Sequence, residues 1–282
     1  MKRRITNLGV SMGLYAKELD KYSKGEDLAK ACLELLDDFT EFAVKNNFEV
    51  IEMASTALIP ANLLIPIAAD IERRISQFRV VTYHLPFGEI NISSLHPGIR
   101  KEAIEETKKH IHLCEKIGVD KVVMHPGSFA GMPDMHLLMK KQAREIAEKS
   151  ILEIFDHCRV RGMELSIENL PRNERFFQTP EEFEPFVEKG IGLVLDTVHA
   201  YVSNVEPTEF IKRFGARITE VHLTDGVKDD PVSHYPLGAG EVDCLGVLDE
   251  LRKTDFEGVI ILEVGGKENV IRSKEFLEGK AH

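Results

Sequence analysis

The stretch GLVLDTVHAY (192–201) runs apolar through Leu195 and then turns abruptly to Asp196 and His199. A short, continuously apolar run is what a parallel strand needs when both of its faces are covered. Seven other short β-branched runs recur, several of them almost continuously apolar: ITNLGV (5–10), FEVIEM (48–53), RVVTYHL (79–85), KVVMH (121–125), ELSIE (164–168), ITEVHL (218–223) and GVIILE (258–263). Each is followed by a longer segment with helical spacing. In 100–117, Ile104, Thr107, Ile111, Cys114 and Ile117 recur at steps of three and four and share one face, and Gly118 offers a left-handed stop. Segments 27–46, 138–161 and 245–254 also lack internal proline and carry apolar residues at helical spacing. Eight strand–helix units with no two-strand hairpin predict an α/β fold, a closed (β/α)8 TIM barrel. The competing doubly wound sheet calls for a glycine-rich phosphate turn after an early strand, and none is present.

Composition agrees with this. The 282 residues are 43% apolar and 29% charged, a globular balance with ample core, and no low-complexity linker divides residues 1–282 into more than one domain. The net charge of −11 argues against a broad nucleic-acid-binding face and leaves room only for a local basic groove. Cys32, Cys114, Cys158 and Cys244 have no CxxC pairing and read as buried free thiols in a reducing cytosol. Ala57 to Ala69, the longest apolar stretch, is broken by Pro60, Asn62 and Pro66 and is too short to cross a bilayer. The N-terminal Met1-Lys2-Arg3-Arg4 lacks a following signal-peptide core, so a cytoplasmic protein is expected.

Function is written in what closes each run. Glu52, His84, His125, Glu168, Asp196, His222 and Glu263 all fall at or near the C-terminal ends of predicted strands. In a parallel barrel those ends converge on one rim, where such barrels carry their active sites. Several ionisable groups ending apolar strands are costly unless a cation neutralises them, and a divalent metal does so. Any one of these residues alone reads as a loop hydrogen-bond partner, and Glu52, standing apart, is left out of the metal shell. The other six together point to a metal site. Glu168, Asp196, His222 and Glu263 offer hard oxygen donors and one imidazole, a set suited to Mn²⁺, Mg²⁺, Co²⁺ or Zn²⁺. His84 and His125 either hold a second ion beside Glu168 or hydrogen-bond a substrate hydroxyl or phosphate. His199, one short turn beyond Asp196, and His234, in the glycine-containing loop HYPLGAGEVD, are expected to contact substrate or add metal ligands. Arg172, in ENLPR, is a candidate for a substrate phosphate or carboxylate. Asn169, Tyr201 and Lys267 are weaker candidates. His96, His110, His112, His136, His157 and His282 read as helix-surface or tail residues, and the EETKKH run (105–110) as a solvated helix face.

The segments YHLPFGEINIS (83–93), MHPGS (124–128), SIENLPR (166–172), LDTVHAY (195–201), VHLTDG (221–226), HYPLGAGEVD (234–243) and ILEV (261–264) together resemble the xylose-isomerase-like TIM barrels. That superfamily includes sugar and sugar-phosphate isomerases and epimerases as well as endonuclease IV. The resemblance implies that Glu168, Asp196, His222 and Glu263 form a shared metal tetrad. In the epimerase branch it implies further that Glu168 and Glu263 exchange a proton with a carbon beside the substrate carbonyl, through a metal-stabilised enediolate. Endonuclease IV relatives also match His84, His125, His199 and His234, and use three zinc ions on an abasic-site phosphodiester. They carry an Asp two residues before the equivalent of His234, where this chain has Val232, leaving Asp229 or Asp230 as the available substitutes. The expected activity is therefore a metal-dependent isomerase or epimerase acting on a small-molecule sugar or sugar phosphate. An endonuclease-IV-like phosphodiesterase and a non-catalytic metal- or sugar-binding barrel are the alternatives.

Overall fold

A computed structural model describes residues 7–13, 27–54, 59–129, 137–230 and 234–279. Val232, His136, His282, the Met1–Arg4 start and the first two residues of the ITNLGV run lie outside the described residues. Eight parallel strands close on themselves in chain order. They are β1 (Leu8–Ser11), β2 (Val50–Ala54), β3 (Val80–His84), β4 (Lys121–Met124), β5 (Glu164–Glu168), β6 (Gly192–Asp196), β7 (Ile218–Leu223) and β8 (Val259–Leu262). The ring is sealed by the pairing of Gly9 with Ile261 between β1 and β8. All eight expected runs contain a strand.

The principal helices lie outside this ring: α1 (Leu28–Lys45), α2 (Ala68–Ile75), α3 (Pro97–Lys116), α4 (Leu137–Arg159), α5 (Thr197–Val202), α6 (Pro207–Phe214), α7 (Cys244–Leu251) and α8 (Lys267–Glu278). Their starts follow local chemistry. The Asp27 side chain accepts from Lys30 N at 3.1 Å and caps α1, Pro97 opens α3 with its fixed φ, and Asp243 accepts from Gly246 N at 2.8 Å to cap α7. Burying Leu35, Phe39, Ile111, Ile151 and Phe210 between helices and strands, each fully hidden, supplies the main driving force. The four cysteines are buried and free, as expected. Among the described residues no helix is long and apolar enough to cross a membrane.

Two departures from expectation stand out. His110 is not a surface residue. It is fully buried on α3, its Nδ1 is 2.9 Å from the Tyr83 hydroxyl, and burial pushes its pKa down to about 4. The EETKKH run is likewise only partly solvated, because Glu106 accepts from Ala61 N at 2.8 Å and Lys108 reaches Glu153 on α4 at 2.7 Å.

Strand register also places the site. Leu193 pairs with Ile218 but Val194 pairs with Glu220, so Thr219 is an extra residue in β7. A bulge of this kind re-aims the residues after it. It leaves Asp196 directly opposite His222.

Candidate metal centre

His84, Glu168 and Asp196 are the last residues of β3, β5 and β6, while His125 and Glu263 directly follow β4 and β8. Parallel closure brings these ends together. Donor atoms of Glu168, Asp196, His222 and Glu263 lie within 4.8 Å of one another, a spacing that can hold a metal ion. Three further groups meet the same criterion: Glu52, Glu220 and His222; His84, His125 and Glu168; and Asp196, His199 and His234.

Glu168 is the hub, and it is almost fully buried. Its Oε2 lies 3.1 Å from His84 Nε2 and 3.3 Å from His125 Nε2. Its Oε1 lies 3.2 Å from His199 Nδ1 and 3.5 Å from His222 Nδ1. His222 Nδ1 is also 2.9 Å from Glu263 Oε2, yet neither atom makes a hydrogen bond, and Asp196 Oδ2 is likewise buried without one. Three buried polar atoms without hydrogen bonds, all in the tetrad, are costly in any protein. Oxygen and imidazole donors converging in this way fit a divalent ion of the harder kind.

The electrostatics tell the same story. Burial alone would raise the Glu168 carboxyl, but His222 and His125 reverse this and hold it well below the carboxylate range. Glu263 behaves alike and is lowered to about 2, chiefly by His222. Asp196 goes the other way: burial raises it, and Glu168 and Glu263 add to the shift against the pull of His199 and His234. On the imidazole side, burial would lower His84 and His199, yet Glu168 raises the first to about 9, and Asp196 and Glu168 raise the second to about 9. At His125 burial wins, and its pKa is lowered.

Supporting contacts fix the candidate ligands. Asp196 Oδ1 accepts from His199 N at 2.6 Å, so the side chain that ends β6 also caps α5. Asn169, a weak candidate from sequence, ties β5 to β6: its Oδ1 accepts from Asp196 N at 2.7 Å and its Nδ2 donates to Asp196 O at 3.0 Å. His84 Nδ1 faces Leu85 O at 2.9 Å, leaving Nε2 toward Glu168. The Phe87 ring stacks on His125 at 4.1 Å between centroids.

The His234 loop is held by Asp225, which sequence reading passed over. Its carboxylate accepts from Gly226 N at 2.8 Å and from Gly238 N, Gly240 N and Val242 N at 2.9 Å each. A Cβ at Gly240 would strike this carboxylate and the Gly226 backbone, so only glycine fits there. His234 Nε2 then sits 3.8 Å from both Asp196 Oδ2 and Glu263 Oε2. The carboxylate in the third group is Asp196, while Asp229 is exposed and Asp230 accepts from the Tyr235 hydroxyl at 3.5 Å.

The remaining candidates are elsewhere. Arg172 is exposed on the turn after β5, outside the side chains gathered around Glu168. Tyr201 donates to Glu241 Oε2 at 3.2 Å, and Lys267 Nζ lies 2.6 Å from Asp38 Oδ2. Glu52 is no loop residue: it is fully buried inside the barrel, with Oε2 3.2 Å from His222 Nε2. Glu220, two residues before His222, joins it with Oε1 3.3 Å from the same nitrogen. Burial raises its carboxyl to about 7, and Glu52 adds to the rise.

The fold is that of several sugar epimerases of known structure. A D-tagatose 3-epimerase-like protein superposes with a TM-score of 0.76 at 23% identity, covering 98% of this chain and 97% of its own. A D-psicose 3-epimerase from Clostridium cellulolyticum H10 gives a TM-score of 0.72 at 17% identity, with 98% of each chain covered. In sequence, an uncharacterized protein of Methanocaldococcus jannaschii is 26% identical over 70% of this chain and 69% of its own length. A probable endonuclease 4 of Sulfurihydrogenibium sp. is 28% identical over 49% of this chain and 50% of its own. The model of the xylose isomerase-like TIM barrel family matches residues 40–280, and the chain belongs to that family.

Proposed function

We propose that this protein is a divalent-metal-dependent isomerase or epimerase of a sugar or sugar phosphate, with the ion held by Glu168, Asp196, His222 and Glu263. The observation that carries this reading is the pair of glutamates, one ending β5 and one following β8, whose carboxylates approach the same His222 nitrogen at 3.5 and 2.9 Å. An ion bound there supplies polarisation of a substrate carbonyl and its neighbouring hydroxyl. One glutamate takes the proton from the carbon beside that carbonyl, and the C–H electron pair moves into an enediolate. For epimerisation the other glutamate, entering the step protonated, gives its proton to the opposite face of that carbon; for isomerisation the first glutamate delivers the abstracted proton to the neighbouring carbon while the hydroxyl proton passes to the former carbonyl oxygen. Glu263, a quarter exposed, faces the mouth, and His199 and His234 hydrogen-bond substrate hydroxyls. The likeness in fold to proteins named as sugar 3-epimerases supports this reading.

A second reading is an endonuclease-IV-like phosphodiesterase. The observation favouring it is that His84, His125, His199 and His234 surround the tetrad in two additional ligand groups. The partial similarity to a probable endonuclease 4 points the same way.

Metal-loaded protein incubated in D₂O with ketoses and ketose phosphates distinguishes the two. The first reading requires deuterium at the reacting carbon and its loss in Glu263→Gln at preserved metal content. Catalytic cleavage of an abasic-site duplex, with no exchange across the sugar panel, establishes the second instead.

A further inference from the structure

We propose that Glu52 and Glu220 are positioning residues that hold His222 from inside the barrel, fix which of its nitrogens faces the ion, and set the affinity of the centre. The inference rests on the metal-centre reading above and concerns residues that lie behind the ligands.

His222 Nε2 has two carboxylate neighbours, Glu52 Oε2 at 3.2 Å and Glu220 Oε1 at 3.3 Å. Glu52 is 0% exposed and Glu220 is 2% exposed. Thr82, on β3, donates to Glu220 Oε1 at 3.2 Å across the barrel and orients it. Neither Glu52 oxygen has a hydrogen-bond partner, so the His222 ring is the group it faces. Glu220 and His222 are two residues apart on one strand and point to the same side.

A neutral imidazole carries one N–H. With acceptors crowded behind Nε2, that N–H belongs on Nε2, and the Nδ1 lone pair is left for the tetrad side. The opposite tautomer would aim a lone pair at two carboxyl groups. Metal-ligating histidines commonly use one such outer partner, which fixes the ring and raises its basicity. Here two converge in the buried interior, where a low dielectric strengthens their influence.

Carboxylates on both sides of one buried ring need positive charge nearby, from the ring itself or from an ion, and an ion supplies the larger share. Without an ion, buried acidic groups stand behind a histidine that already faces Glu168 and Glu263. Removing charge at Glu52 or Glu220 therefore weakens the hold on the ion while leaving the metal-free fold unharmed or firmer. A residue that merely packs the barrel would move both quantities in the same direction.

The test uses Co²⁺ as probe on full-length protein stripped with chelator. Affinity is measured by chelator competition, the visible Co²⁺ spectrum reports the ligand field, and urea unfolding gives metal-free stability. Glu52→Gln and Glu220→Gln are each expected to weaken Co²⁺ binding roughly 10- to 100-fold, as for other outer-shell partners. The metal-free urea midpoint is expected to hold or rise. Thr82→Val, which touches no proposed ligand, should weaken binding in the same direction but less, and it decides the matter if a glutamine variant does not fold. Wild-type affinity and spectrum in the folded variants overturn the positioning role alone. Wild-type protein that takes up no Co²⁺ overturns the metal centre and this inference with it.

Discussion

In the proposed centre Asp196 has two jobs for its two oxygens, and substitutions can separate them. Oδ1 caps α5 through His199 N at 2.6 Å, while Oδ2 is buried without a hydrogen bond among the tetrad donors. Asp196→Ala removes both. In metal-free protein it should cost about 1–2 kcal/mol, the usual loss for an N-cap truncated to alanine. Asp196→Asn keeps an oxygen for the cap and deletes the negative charge. That charge is disfavoured in the metal-free site by burial and by Glu168 and Glu263, so this variant should unfold within about 0.5 kcal/mol of wild type or above it. Metal binding reverses the comparison. At an ion concentration of 100 times Kd, wild type gains about 2.7 kcal/mol from linkage. A ligand lost to Asn that weakens binding about 100-fold leaves about 0.4 kcal/mol at the same concentration. Urea unfolding with chelator and with Mn²⁺ or Zn²⁺ measures all these quantities. Metal-free Asp196→Asn as unstable as Asp196→Ala, or an undiminished metal increment in either variant, would refute the division of labour.

Other perturbations probe different parts of the molecule. His110 has a folded pKa of about 4 against an ordinary 6.5, so the unfolded chain binds the extra proton between these values. Its contribution is complete above pH 6.5 and is lost as pH falls toward 4, at most about 3 kcal/mol, so His110→Gln should flatten the wild-type slope of stability over that window. Asp225→Asn turns an amide N–H₂ toward backbone donors of the His234 loop and should cost roughly 3 kcal/mol in urea unfolding, with faster proteolysis between 234 and 243. Where metal analysis of the wild type finds a second ion, His84→Ala should lose it while the tetrad ion remains, whereas Glu168→Gln, which touches two of the donor groups, should lose both. Equal stoichiometry in the two variants would remove Glu168 from its central place.

The barrel was legible because most of its strands are short, largely apolar runs that end at or near ionisable residues. GLVLD and ELSIE carry their whole meaning within five residues, and both became strands with those boundaries. Asp196 and Glu168 could be read for the same reason. Glu52 could not, because its partner His222 lies on β7, far along the chain, and a lone carboxylate in FEVIEM gives no hint of that meeting. Glu220 did leave a trace: in ITEVHL it stands two residues before His222, and alternation puts both on one face. His110 also left one, since it continues the buried stripe of Ala103, Thr107 and Cys114 on α3. Asp225 was hidden because its role is to gather backbone N–H groups, which no side-chain pattern records.

The two oxygens of Glu168 serve different neighbours, Oε2 facing His84 and His125 and Oε1 facing His199 and His222. This arrangement shapes the routes by which such a site can change over generations. Replacing His84 or His125 edits one side and leaves the other oxygen's surroundings intact, so the ligand count can fall or rise by single codon changes. Replacing Glu168 removes support from both sides at once. Single substitutions at these histidines therefore alter the cluster one side at a time, whereas a change at Glu168 reaches every member at once.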